Sequence, residues 1–238
     1  KAFDITFTGK DNQLHHPFQT SWGVSTRMIG GIIMTHGDDN GLVLPPRIAP
    51  IQVVVVPVAQ HKEGVLEAAA ALAERLKAIG VRVKVDDSDK APGWKFAEYE
   101  MKGVPLRLEI GPKDIEKQQC VLARRDNGEK SFTALADLET AIPAMLDVIH
   151  SGLYEKAKKN LEEHTYAAHS LKEAKELQEK NGGFIKTMWC GDLACEMAMK
   201  EQAGMSSRCI PFAQEHLADV CPVCGKPAAK MVYWGVAY

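Results

Sequence analysis

This sequence lacks several features that would assign a protein to a broad class at once. Lys and Arg number 29 against 31 Asp and Glu, so a formal net charge of −2 gives no overall basic field for nucleic acid. Any contact with nucleic acid must therefore come from a local patch. No stretch approaches the roughly 20 apolar residues that cross a bilayer, so we expect no membrane partner. The opening KAFDITFTGK has no apolar signal core, and we expect a cytoplasmic protein.

The residues that are present have the composition of an ordinary globular protein. Of 238 residues, 45% are hydrophobic and 25% are charged, enough for one large domain or two small ones with a buried core. The chain has no initiator Met, and its opening is typical of the middle of a domain. Shifts in composition divide it into residues 1–50, 51–153 and 154–238, and we predict a separate unit in each.

The middle segment has the pattern of an α/β domain. The β-branched run QVVVVPV predicts a strand buried on both faces, and KEGVLEAAAALAERLKAIG predicts a helix closed by Gly80. Another strand follows, and then a helix that begins near Pro92 and ends at Gly103. Three more strands come next, the last two joined by a hairpin at DNG, before a helix near LADLETAIPAMLDVIHSGL. We therefore expect a mixed sheet covered by helices.

The two flanking segments differ from this pattern. In residues 1–50, LHHPFQTSWGVS has turn and strand character, and STRMIGGIIMTHG predicts a helix capped by Ser25 or Thr26. The prolines that follow, up to Pro50, indicate a linker. From Tyr154 the chain is polar and predicted to be helical, with a break between His164 and Ser170.

Four of the six cysteines form two close pairs near the end of the chain. Cys190 and Cys195 are spaced C-x4-C, and Cys221 and Cys224 are spaced C-x2-C in CPVCG. This spacing is typical of a four-thiolate structural Zn2+ site; free thiols or a redox pair are the alternatives. We expect the segment that carries the cysteines to be a small α+β domain. Cys209 lies among apolar residues in SSRCIPF, and we expect it in the core.

Long stretches of the chain resemble a known enzyme family. KAFDITF and QTSWGVSTRMIGGIIMTHGDDNGLVLPPRIAP resemble the motif 3 region of class II prolyl-tRNA synthetases of the archaeal and eukaryotic type. PGWKFAEYEMKGVPLRLEIGPKD resembles their anticodon-binding domain, and the paired cysteines resemble their C-terminal zinc domain. The resemblance implies the end of an antiparallel catalytic sheet in residues 1–50, an anticodon-binding domain in 51–153 and a zinc-binding domain in 154–238.

The resemblance also implies a reaction and its participants. The family activates proline with ATP and Mg2+ to prolyl-adenylate and transfers it to tRNA(Pro), usually as a homodimer. By resemblance, Arg27 is the motif 3 arginine that contacts the nucleotide, and Trp22 is a wall of the proline pocket. The neighbours that resemble site-lining residues are Gln19, Thr20, Ser21 and Gly23. Nothing in the chain resembles motifs 1 and 2, so we expect no aminoacylation by this chain alone.

Proline anticodons share GG at their last two positions, so the anticodon-binding domain must recognise guanines. Guanine offers N7 and O6 acceptors to Arg or Lys, and N1–H and N2–H donors to a carboxylate. By resemblance, Glu100, Arg107 and Lys130 are the candidates. Trp94 and Phe96 are candidates for stacking on bases or for core positions. Arg124 and Arg125 are candidates for phosphate contacts.

Other interpretations remain open from sequence alone. The chain is alternatively a stand-alone tRNA-binding paralogue without ligase activity, another class II synthetase with the same anticodon domain, or a zinc-ribbon structural protein. At the end of the chain, the resemblance predicts that Tyr238 approaches the catalytic domain. The simpler interpretation is that Tyr233, Trp234 and Tyr238 complete the core of the zinc unit.

Overall fold

The computed structural model describes residues 3–228 and 230–237, so the prediction for Tyr238 lies outside the described residues. Among the described residues, no helix combines the length and the apolar character that a membrane span requires. Two sheets of four and five strands dominate the fold, and a two-stranded ribbon precedes them.

The first segment forms a small ribbon and one helix. Strands β1 (Phe7–Thr8) and β2 (Leu14–His15) pair antiparallel, and helix α1 spans Arg27–His36. Thr26 caps α1, as one of the two predicted residues, although its side chain accepts no hydrogen bond there. In the stretch LHHPFQTSWGVS, where the sequence indicates turn and strand character, only Leu14–His15 forms a strand. Residues 19–23 are irregular, because an extended segment becomes a strand only when another backbone pairs with it.

The middle segment forms the mixed sheet that the sequence predicts, with five strands in the order β4-β3-β5-β6-β7. Strands β4, β3 and β5 are parallel, and β5, β6 and β7 are antiparallel. The strands are β3 (Val53–Pro57), β4 (Val83–Val85), β5 (Leu106–Ile110), β6 (Gln119–Arg124) and β7 (Lys130–Ala134). The helices are α2 (Val65–Ala78), α3 (Pro92–Met101) and the short α4 (Pro112–Glu116), which the sequence interpretation missed.

Helices cover both faces of this sheet. The valines of β3 are fully buried and alternate between two clusters. Val53 and Val55 pack in the cluster that contains Leu76 of α2, while Val54 and Val56 pack with Tyr99 of α3. A strand buried on both faces is what the continuous β-branched run predicts. Gly80 and Gly103 close α2 and α3 in the left-handed conformation, with φ of 85° and 69°.

The helix after the sheet is longer than expected. We predicted one helix before Tyr154 and another after it, whereas α5 runs without interruption over Leu138–Glu163, 26 residues. A buried stripe along its first four turns packs on the α/β core, at Leu138, Ile142, Leu146, Ile149 and Leu153. The polar remainder continues the helix because no proline follows Pro143 to stop it. The predicted break between His164 and Ser170 is confirmed.

The last segment is a four-stranded sheet in the order β10-β11-β9-β8 with two helices. Its elements are β8 (Thr165–Ala167), α6 (Leu171–Asn181), β9 (Phe184–Trp189), α7 (Leu193–Ala203), β10 (Ser206–Cys209) and β11 (Lys230–Gly235). Trp234 is the largest fully buried side chain, and its indole N–H donates to Thr187 Oγ1 at 2.9 Å. The core position expected for Cys209 is wrong: its side chain is exposed on β10, an outer strand of this sheet.

Candidate functional site

One cavity of about 450 Å3 gathers the three residues predicted to recognise guanine. Glu100 lies near the end of α3, Arg107 on β5 and Lys130 at the start of β7. Ala123 of β6 is opposite Arg107 on one side and Lys130 on the other, so the two cations share one face of the sheet. The small side chain of Ala123 leaves room between them. Three elements of the middle segment thus converge on one site.

Glu109 and Phe96 hold the two cations of this cavity. Glu109 lies two residues after Arg107 and so points to the same face of β5. Its Oε1 accepts hydrogen bonds from Arg107 Nε and Nη2 at 3.0 and 2.9 Å and from Lys130 Nζ at 3.2 Å. The Arg107 guanidinium also lies 4.0 Å from the centre of the Phe96 ring, with Lys130 Nζ at 5.6 Å. Glu109 was missed from the sequence, although the alternation in LRLEI could have indicated it.

Glu100 supplies a carboxylate to the same cavity. Its side chain is half-buried and lines the cavity, and within the described part of the chain its carboxylate accepts no hydrogen bond. The two oxygens are therefore available to N–H donors. A base whose edge carries both acceptors and donors would meet both kinds of partner here.

The two arginines predicted to hold phosphates are already paired with carboxylates. Arg124 makes a forked pair with Asp126, at 3.0 and 2.7 Å. Arg125 makes another with Asp38, at 2.7 and 2.6 Å, and this pairing lowers the pKa of Asp38 to about 2. A phosphate contact by either guanidinium would compete with these pairs.

Of the two aromatic candidates, only Phe96 contacts the cations of the cavity. Trp94 is half-exposed on α3, with Lys90 Nζ 5.3 Å from the centre of its ring. The exposed ring of Trp94 is accessible to a base. Neither Trp94 nor Phe96 is among the residues that line the cavity, and Phe96 reaches it only through its contact with Arg107 and Lys130.

The four paired cysteines converge on one point. Cys190 follows β9, Cys195 lies in the first turn of α7, and Cys221 and Cys224 flank a tight turn. All four sulfur atoms lie within 4.8 Å of one another. Cys190 Sγ is 3.6 Å from Cys195 Sγ and 3.7 Å from Cys224 Sγ. Tetrahedral zinc with sulfur ligands at about 2.3 Å requires sulfur atoms about 3.8 Å apart, so the donor set fits this ion.

The turn between Cys221 and Cys224 favours the thiolate form of Cys221. Gly225 adopts φ of 70°, and its N–H donates to the Cys221 carbonyl at 2.9 Å. Although burial opposes the shift, backbone N–H groups of Cys224, Val223 and Cys190 lower the pKa of the Cys221 thiol to about 7. Burial and the neighbouring thiols raise the pKa of Cys195. A bound cation would favour the thiolate form of all four.

The residues that resemble the motif 3 site lie on the surface of the first segment. Arg27 is the first residue of α1 and is exposed, and 91% of Trp22 is exposed to solvent. The residues from Gln19 to Gly23 are also exposed and irregular. Their roles stay predictions.

Comparison with known proteins matches the two regions of the chain that contain these residues. Residues 52–145 match the family model described as an anticodon binding domain, and residues 171–238 match the model of the prolyl-tRNA synthetase C-terminal region. The whole chain is 61% identical to the proline–tRNA ligase of Clostridium novyi (strain NT). It is 58% identical to proline–tRNA ligase 2 of Bacillus thuringiensis (strain Al Hakam) and to a proline–tRNA ligase of Clostridium botulinum. Each alignment covers 100% of this chain and 50% of the relative, so the chain spans about half the length of the curated relatives it matches.

Proposed function

Because the chain belongs to the prolyl-tRNA synthetase family, we propose that it is the anticodon-recognising part of a proline–tRNA ligase. The observation that carries the proposal is the cavity shared by Glu100, Arg107 and Lys130. The whole enzyme would activate proline with ATP and Mg2+ and transfer it to tRNA(Pro). We place the enzyme in the cytoplasm and expect it to act as a homodimer.

The chemistry of the cavity suits a guanine that has left its stack. Arg107 and Lys130 donate towards the N7 and O6 acceptors of the base, and the Glu100 carboxylate accepts from N1–H and N2–H. No other base offers that combination of acceptors and donors. Glu109 and Phe96 hold the cations in place before the RNA arrives, so less side-chain freedom is lost on binding.

The three proposed units then have separate tasks. Residues 1–50 complete the catalytic domain, where Arg27 contacts the nucleotide and Trp22 lines the proline pocket together with Gln19, Thr20, Ser21 and Gly23. Residues 51–153 recognise the anticodon. Residues 154–238 hold a structural Zn2+ on Cys190, Cys195, Cys221 and Cys224, where four thiolates neutralise the ion and tie two distant parts of the chain together.

Replacing Arg107 tests the anticodon proposal. We expect Arg107→Ala to weaken binding of a proline anticodon stem-loop by about 1–3 kcal/mol for each base that the guanidinium would recognise. The same variant should bind a stem-loop with CC in place of GG almost as the unmodified chain does, because that RNA gains nothing from Arg107. Fluorescence anisotropy with both RNAs measures the two affinities.

Arg47→Ala is the matched control, since it removes the same charge from an exposed linker residue outside the cavity. It should reduce affinity for both RNAs equally or leave both unchanged. If Arg107→Ala kept the full preference for GG, the assignment of this cavity to guanine would be wrong.

A further inference from the structure

The wall of the cavity includes residues that precede the matched anticodon-binding domain. Asp38 and Asn40 line the cavity together with Glu100, Arg107 and Lys130, yet the domain match begins only at residue 52. They belong to a tight turn after α1, in which Asp38 and Gly41 pair backbone to backbone. The turn therefore comes from the segment that carries α1, and not from the α/β sheet.

The chain after this turn is fixed to the end of α3. Leu42 N–H donates to the Met101 carbonyl at 3.0 Å, and Leu44 N–H donates to the Gly103 carbonyl at 3.2 Å. The Cα of Gly103 faces Leu42 so closely that an added Cβ would lie 2.6 Å from it. The turn and the end of α3, where Glu100 lies, thus form one packed unit.

Arg125 joins the turn to the backbone of Glu100. Its side chain is only 6% exposed, and its two terminal nitrogens donate to the two Asp38 oxygens. Its Nε donates to the Glu100 carbonyl at 2.9 Å. The planar guanidinium thereby satisfies three acceptors with one rigid group, a geometry that Lys cannot reproduce.

We propose that Asp38 is a positioning residue for anticodon recognition: it fixes Arg125, and Arg125 fixes the Glu100 backbone so that the Glu100 carboxylate faces the guanine. Asp38 also neutralises the guanidinium of Arg125, so this buried cation attracts RNA phosphates less. This inference rests on the proposed function, and it assigns a specificity role to a residue outside the matched domain.

The two effects of Asp38 predict an unusual result for Asp38→Asn. Without the carboxylate, Arg125 remains at the cavity wall as an uncompensated cation that attracts any RNA backbone. Binding of a stem-loop with CC in place of GG should stay equal or tighten, and its affinity should fall more steeply with added salt. Binding of the GG stem-loop should weaken, because Glu100 is no longer held. We expect the preference for GG to drop about tenfold, within the range by which a protein discriminates one base from another.

The experiment uses the full 238-residue chain, fluorescence anisotropy and the two stem-loops at several salt concentrations. Asp39→Asn is the matched control: Asp39 is the next residue, is exposed, and forms no ion pair with the described residues. It removes the same charge without releasing Arg125, so both affinities and the GG preference should match those of the unmodified chain. Thermal unfolding of each variant reports whether it is folded.

The outcomes separate this inference from the proposed function. If the unmodified chain shows no preference for GG, the proposed function fails. If the unmodified chain prefers GG and Asp38→Asn keeps the same preference as Asp39→Asn, the inference on Asp38 is overturned. Equal loss of affinity for both RNAs in a folded Asp38→Asn chain would also overturn it.

If Asp38→Asn does not fold, Asp38→Glu tests the positioning role of Asp38 instead. It keeps the negative charge but moves the carboxylate by one methylene group away from the geometry of the fork. The salt dependence should then stay that of the unmodified chain, while part of the preference for GG is lost. An unchanged preference in Asp38→Glu would contradict a role for the Asp38–Arg125 geometry.

Discussion

At the residue scale, Glu109 explains how two cations remain close together on one sheet face. Arg107 and Lys130 would repel each other across Ala123, but one oxygen of Glu109 accepts hydrogen bonds from both. The side chains of Glu109 and Arg107 are only 12% and 16% exposed, so solvent screens their contact weakly, whereas Lys130 is 53% exposed and its contact with Glu109 is screened more. Arg107 and Lys130 can therefore donate hydrogen bonds to a ligand in the cavity, while Glu109 compensates part of their positive charge.

Lys95 is a buried cation outside the cavity, and we expect it to stabilise the fold. Its side chain is 1% exposed, and its Nζ donates to the Asp86 carbonyl at 2.8 Å and to Gln60 Oε1 at 2.9 Å. It also lies 3.7 Å from Asp86 Oδ1. We expect Lys95→Met, which keeps most of the volume, to lower the free energy of unfolding by about 3 kcal/mol or more, because it leaves a buried carboxylate without its cation.

Urea unfolding of Lys95→Met and of Lys77→Met measures this difference. Lys77 pairs with Glu74 on the surface of α2, where both side chains are at least half exposed, so its replacement should cost less than about 1 kcal/mol. Similar losses in the free energy of unfolding for the two variants would show that the buried Lys95–Asp86 pair stabilises the fold no more than an exposed ion pair does.

At the element scale, two glycines end helices in the same conformation but in different surroundings. Gly80 after α2 has φ of 85° and open space where a Cβ would lie, whereas Gly103 after α3 has φ of 69° and faces Leu42. Gly80→Ala should lower the free energy of unfolding by about 1 kcal/mol, because alanine is strained in the left-handed backbone conformation. Gly103→Ala should cost clearly more, because a Cβ there would lie 2.6 Å from Leu42 backbone and side-chain atoms.

The two glycine variants are compared by thermal and urea unfolding. Gly103→Ala should also weaken binding of the GG stem-loop, since the hydrogen bonds between residues 42–44 and the end of α3 must shift. An equal loss in the free energy of unfolding for the two variants would mean that the chain near Leu42 moves away from an added Cβ without destabilising the fold.

The elements that the sequence predicted well are those with a local pattern. The valine run of β3, the apolar periodicity of α2 and the DNG hairpin each carry their signal within a few residues, and all three are present. The sheet of β8 to β11 carries no such signal. Its strands pair residues near 165 with residues near 185, and these in turn with residues near 234, so the pairing depends on tertiary contacts.

The same distinction holds at the site. The resemblance named Glu100, Arg107 and Lys130, and the structure brings them to one cavity. It did not indicate Asp38, because the partner of Asp38 is 87 positions away and outside its own segment. Apolar neighbours also misled the prediction for Cys209, since a residue on an outer strand can be exposed whatever surrounds it in sequence.

At the scale of the whole molecule, each of the two larger sheets has its own hydrophobic core in the described part of the chain. The core of the five-stranded sheet consists of two clusters, one on each face, and the core of the four-stranded sheet is a single cluster with α6 and α7. The cysteine cluster adjoins the core of the four-stranded sheet, because Trp189 and Val223, which precede Cys190 and Cys224, pack against that core. Two of the four cysteines, Cys195 and Cys221, are buried. A small core gains most from a metal, because the ion links elements that the core alone holds weakly.

We therefore expect about one zinc ion per chain, and we expect its removal to affect one core only. Cys221→Ser should lose the zinc, and hydrogen exchange should show lost protection in β9 and β11 with protection retained in β3 and β5. Cys209→Ser is the control, since Cys209 is an exposed thiol outside the cluster and should leave both zinc content and protection unchanged. Uniform loss of protection in both sheets of Cys221→Ser would argue against separate cores.

Helix α5 connects these two cores. The length of a helix sets both the distance between the units at its two ends and their relative rotation about the helix axis. Only His164 separates its last residue from β8, so the direction in which the second sheet faces depends on where α5 ends. Each residue in a helix adds about 1.5 Å of length and about 100° of rotation. Deleting one residue from the exposed stretch after Leu153 would shorten the connection slightly yet rotate the unit of the four-stranded sheet by about 100°. Deleting seven would nearly restore its orientation, so this polar stretch is constrained in its length far more than in its composition.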